Sequence, residues 1–172
     1  MTRMHGTLMK NPSLDDTLAA MKRLSHAAKK DLTILKLTRE IVRGLEPGDY
    51  NSEIQAIYHW VCQNVRYVRD IHDVELVISP QRVLELGGGD CDDMACLLAA
   101  MLMSIGNECR FMVVGFENRT PSHVFCQVAL RSASTGDGGV AGDKVWATVD
   151  PVADDSTAMM HKRVGFARSY SL

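Results

Sequence analysis

Residues 86–106 read Leu-Gly-Gly-Gly-Asp-Cys-Asp-Asp-Met-Ala-Cys-Leu-Leu-Ala-Ala-Met-Leu-Met-Ser-Ile-Gly, and the fold turns on them. From Met94 to Met103 every residue is apolar. A helix apolar on all sides must be covered on all sides, so this segment is expected as a central buried helix opening at or just before Cys91. Gly87, Gly88 and Gly89 should end the preceding element as a flexible turn, and Gly106 should stop the helix. Cys91 then occupies a helix start, where unpaired backbone N–H groups favour a thiolate and can donate to a developing oxyanion. Asp92 and Asp93 oppose that effect by like charge. Helical spacing turns them away from Cys91, so they are expected to serve the helix dipole more than they disturb the thiol.

Working outward, Ser79-Pro80 predicts a short helix with Ser as cap and Pro in the first turn. Further upstream, Ile54, Ile57, Tyr58, Val61, Cys62 and Val65 make a one-sided stripe, which predicts an amphipathic helix over 51–65. Tyr67 to Val77 reads as an irregular connection. Two more helices are expected over about 13–45: one capped by Ser13 with Asp15 and Asp16 in its first turn, and one from Leu32 to Arg43 stopping at Gly44. The first ten residues read as a loose terminus. Downstream, three strands are expected at Arg110–Phe116, His123–Leu130 and Lys144–Asp150. The loop containing Asp137-Gly138-Gly139 reads as a hairpin connection. From Ala153 onward the chain reads as a polar tail, with Lys162, Arg163 and Arg168 in a solvated segment.

The hairpin carries the chemistry. With Leu130 and Lys144 flanking the loop, the partner of His123 falls near residue 151, within one residue of Asp150. An antiparallel pair therefore makes neighbours of His123 and Asp150, on one face if that register holds. A carboxylate beside an imidazole fixes which ring nitrogen carries the proton and favours the charged ring. Such a pair, set against a thiol at a helix N-terminus, has the parts of a nucleophilic site.

Gly89-Asp90-Cys91-Asp92-Asp93-Met94-Ala95, His123 at the head of a strand, and Trp146 with Asp150-Pro151 resemble the transglutaminase-like superfamily. Ser79-Pro80 with Val83-Leu84 is similar to the lead-in of its microbial members, and the likeness covers roughly Ser52 to Val152. The resemblance implies an α+β, papain-like core in which a central buried helix packs on an antiparallel sheet, here with added N-terminal helices. It implies Cys91 as nucleophile, His123 as general base and acid, and Asp150 as the residue orienting His123. Gln81, Trp60 and Tyr67 stand as candidates for a second oxyanion donor. The implied activity is acyl transfer from a peptide or side-chain amide through a thioester on Cys91, with a protein or peptide as substrate. Hydrolysis as a protease or amidase is favoured over protein crosslinking, because no second-substrate module is evident. The rival expectation is a non-enzymatic binding or assembly module on the same scaffold, for instance a phage-derived component.

Bulk properties set the class. The chain has 172 residues, 46% hydrophobic and 23% charged, which suits one domain over 1–172 with a sizeable core. That domain divides into the helical part near 13–45, a core near 50–152 and the tail at 153–172. A formal net charge of -2 leaves no electrostatic footprint for nucleic acid or an anionic membrane. The longest apolar run is too short to span a bilayer and no start resembles a signal peptide. The five cysteines include no CxxC, so a cytoplasmic chain with reduced thiols is expected. Cys62, Cys96, Cys109 and Cys126 read as core fillers, and His5, His26, His72 and His161 as exposed. His59 and Cys62 lack a second ligand pair, so neither a metal nor a cofactor is expected.

Overall fold

The chain runs β1 (Gly6–Met9), α1 (Leu14–Ala28), α2 (Leu32–Ile41), α3 (Tyr50–Asn64), β2 (Arg66–Tyr67), β3 (Glu75–Ile78), α4 (Pro80–Leu86) and β4 (Gly88–Gly89). It continues with α5 (Cys91–Ser104), β5 (Cys109–Phe116), β6 (His123–Ala129), β7 (Trp146–Val149) and β8 (Val164–Ser171). The computed structural model describes residues 6–9, 12–69, 75–116, 120–130, 144–152 and 164–172. The segment Asp137–Gly139 and residues Lys162, Arg163, His5, His72 and His161 lie outside them. No helix among the described residues is long and apolar enough to cross a membrane.

Helix α5 is the axis of an α+β architecture. Its residues from Met94 to Leu102 are all buried. Helices α1 to α4 touch it on one side and strands β5 and β6 on the other, which is why it can be apolar all round. Each of Leu97, Leu98 and Leu102 is lost to solvent completely, worth about 1.5–3 kcal/mol apiece. Capping defines the helix starts. The Ser13 hydroxyl accepts from the Asp16 N–H while the Asp16 carboxylate accepts from the Ser13 N–H, at 3.2 and 3.0 Å. Asp31 and Asp49 do the same service for α2 and α3.

The main sheet has the order β7-β6-β5-β8 and is antiparallel throughout. Two expectations fail here. Residues 164–171 form an edge strand on β5 in place of a solvated tail. Phe166, Tyr170 and Leu172 pack on the core at alternate positions, and Arg168, which breaks that pattern in the sequence, reaches Asp15 of α1 at 2.9 Å. The register of β6 with β7 also differs by one residue: Gln127 opposes Thr148 and Ala129 opposes Trp146. Extended to His123, this pairing points to residue 152, so Asp150 shares the His123 face as a diagonal neighbour. Pairing His123 with residue 151 would have put Asp150 on the opposite face.

Smaller corrections concern the segments around the centre. Residues 6–9 are not loose; they pair antiparallel with β3, Gly6 opposite Ile78. The connection after α3 contains β2 and β3, and β2 runs parallel to β4 with Tyr67 opposite Gly89. The glycine run is therefore paired and buried rather than flexible. Only Gly87 uses positive φ, 65°, to end α4. A Cβ at Gly88 would stand 2.9 Å from the Arg66 carbonyl oxygen, and at Gly89 2.6 Å from the Asp93 Cβ. Those two glycines are there for close approach.

Candidate active site

Cys91 is the first residue of α5, and its position is set by a small carboxylate lattice. Asp90 accepts from the Asp93 N–H at 3.2 Å, and Asp93 returns the bond to the Asp90 N–H at 3.3 Å. The second oxygen of Asp93 accepts from the Ile78 N–H at 2.8 Å, tying the helix start to β3. Gly89 leaves the space that this carboxylate needs. The Cys91 N–H, at the first helical position, has no intrahelical partner and remains a donor beside the sulfur.

His123 heads β6 and is buried, as is Asp150 just beyond β7. The His123 Nε2 and the Asp150 Oδ2 are 2.7 Å apart. Asp150 is itself held twice: its other oxygen accepts from the Val152 N–H at 3.1 Å, and its carbonyl accepts from the Tyr58 hydroxyl at 3.2 Å. A carboxylate accepts only, so Nε2 carries the proton and the Nδ1 lone pair is the basic site of the neutral ring.

Cys91 and His123 line one cavity of about 540 Å³, with α1 forming its far wall. Among the described residues no hydrogen bond joins the sulfur to the imidazole. The thiol instead faces the Asp92 carboxylate at 3.9 Å. Burial first, then the charges of Asp92 and Asp90, hold this thiol well above the ordinary cysteine range, against the Val124 and Asp92 N–H groups. The expectation that Asp92 would serve the helix dipole more than it disturbs the thiol is therefore corrected, because its carboxylate faces the sulfur. Burial, with the charges of Asp92 and Asp90 behind it, outweighs the helix N-terminus at this thiol.

Tyr67 lies opposite Gly89, two residues before the thiol. Its side chain is largely exposed, and partial burial, then the charges of Cys91 and Asp90, raise its phenol. None of the three donor candidates, Tyr67, Gln81 and Trp60, is among the residues lining the cavity. Trp146 lies under the Arg110 guanidinium, 4.2 Å from its ring centre, on the sheet and away from the thiol. Cys96, Cys109 and Cys126 are buried as expected, whereas Cys62 is partly exposed, and His26 is only half-exposed. Asp90, Asp92 and Asp93 bring carboxylate oxygens within 4.8 Å of one another, and they are the one group with cation-holding geometry among the described residues. Asp90 and Asp93 already spend oxygens on backbone donors. The contribution of α1 to the cavity has no local signal in the sequence, since Leu14 to Met21 read only as an amphipathic face.

A family model described as the transglutaminase-like superfamily matches residues 35–151, and the chain belongs to that superfamily. Among solved structures, it is similar to "a putative protease from Parabacteroides distasonis", at 15% identity and a TM-score of 0.46, over 69% of this chain and 26% of that one. It is also similar to "a putative cysteine protease from Cytophaga hutchinsonii", at 16% identity and a TM-score of 0.48, over 94% of this chain and 55% of that one. The chain thus spans about a quarter and about half of those two proteins. Comparison with the curated proteins returns no match.

Proposed function

We propose that the protein is a cysteine-dependent acyl-transfer enzyme, a protease or amidase that cleaves peptide or side-chain amide bonds through a thioester on Cys91. The observation that carries this is the 2.7 Å His123–Asp150 pair opening on the same cavity as a thiol at a helix start. The residues act as one domain over 1–172.

Asp150 keeps the His123 proton on Nε2, so Nδ1 is the base. The reaction requires the thiol to turn from Asp92 to the ring Nδ1. The ring takes the S–H proton as sulfur attacks the carbonyl carbon, and negative charge moves to the carbonyl oxygen. The Cys91 N–H and the Tyr67 hydroxyl receive that charge. The imidazolium then protonates the departing amine, leaving an acyl thioester. Water, deprotonated by the same ring, releases the acid and regenerates the thiol.

A second reading is favoured by one observation: the resting thiol is raised and unpaired with the ring, as it would be in a binding module that keeps the scaffold without turnover. Labelling with iodoacetamide, followed by mapping of the modified residue, separates the two. An enzyme requires Cys91 to be modified faster than the partly exposed Cys62, with the advantage lost in His123→Ala. Equal rates at the two cysteines would leave the binding module.

A further inference from the structure

The cavity has two kinds of wall. Its floor is Leu18 and Met21 of α1, Val113 of β5 and Val124 of β6, all buried. Beside them, also buried, stand Asp90 and Asp92 on either side of Cys91, while Pro121 and Ser122 form the exposed edge. Among the described residues no lysine or arginine lines the cavity, and its volume of about 540 Å³ falls in the range of ligand sites. Helix α1 lies outside the residues 35–151 that match the family model.

We propose that this cavity is a subsite for an aliphatic side chain of an uncharged or cationic peptide, and that it turns away acidic ones. This rests on the acyl-transfer reading above. An aliphatic group entering between α1 and β5 leaves water for a surface of Leu, Met and Val. An acidic group entering the cavity meets two buried carboxylates beside the thiol, with no lysine or arginine among the described lining residues to offset them. The same two charges already act on the Cys91 sulfur, so their field reaches the point where the scissile carbonyl must sit.

The test uses the full chain and tripeptide chloromethyl ketones that differ only in the side chain next to the electrophile: Leu, Gly, Lys or Glu. The Cys91 sulfur displaces chloride and forms a thioether, and mass spectrometry reads the labelling rate. Leu is expected to exceed Gly by about tenfold, and Glu to fall about tenfold or more below Leu, with Lys not penalised in this way. Leu14→Lys, which puts a cation on the half-buried rim, is expected to narrow the Leu-to-Glu ratio by about threefold or more. Thr17→Lys serves the same purpose one turn further along if the first variant does not fold. Glu labelling as fast as Leu, or Leu no faster than Gly, overturns the subsite while leaving Cys91 as a nucleophile. Failure of every probe and of iodoacetamide at Cys91 overturns both.

Discussion

Replacing Asp92 with Asn removes one charge and almost no volume, and it isolates that carboxylate's share, second to burial, in holding the Cys91 thiol protonated. The sulfur and the carboxylate oxygen are 3.9 Å apart, with Asp92 buried and Cys91 partly so. Two unit charges at that separation interact by about 1 kcal/mol in water and about 4 kcal/mol at an effective dielectric near 20. The thiolate, once formed, is disfavoured by an amount in that interval. Removing the charge therefore lowers the thiol pKa, and at any pH below it the thiolate population grows by about 5-fold to about 10³-fold. Nucleophilicity falls as basicity falls, returning roughly half of the gain on a logarithmic scale. The iodoacetamide rate at Cys91 should then rise by about 2- to 30-fold at about pH 7.5. In the native chain that rate should keep climbing as the solution is made alkaline, and in Asp92→Asn the whole curve should move to lower pH. A rate that stays level or drops in a variant with native circular dichroism would refute the electrostatic account. It would mean that Asp92 acts on the thiol as a hydrogen-bond acceptor and not as a charge.

Four further variants have expected outcomes. Asp150→Ala leaves the buried His123 Nε2–H without its acceptor, so stability should fall by about 1–3 kcal/mol in urea titration and amide hydrolysis by about 10²- to 10⁴-fold. Asp150→Asn, whose amide oxygen can still accept that proton, should retain more activity than the alanine variant. Tyr67→Phe should lower kcat by up to about 10²- to 10³-fold with little change in KM, because a donor to the oxyanion acts only in the transition state. Gly89→Ala drives a Cβ to 2.6 Å from that of Asp93, and calorimetry should register a loss of about 1–3 kcal/mol, or roughly 2–12 °C in Tm.

Much of the protein was legible from local patterns, because local patterns follow from periodicity. The unbroken apolar run after Asp93 could only be a wrapped helix, and the alternation from His123 to Leu130 could only be a strand. Chain order brought His123 near Asp150, since an antiparallel hairpin sets the start of one strand beside the end of the next. What the sequence could not decide were distances that depend on packing between remote segments. A one-residue change of register moves Asp150 from one face of the sheet to the other, and nothing near Asp150 in the chain specifies it. Residues 164–171 read as polar because the ion pair that seats Arg168 on the core-facing side involves Asp15, at the far end of the chain. The state of the Cys91 thiol was likewise decided in three dimensions. Helix position argues for a thiolate, but burial beneath α1 and the rotamer of Asp92 argue against it, and only the folded chain fixes how deep and how close those groups lie.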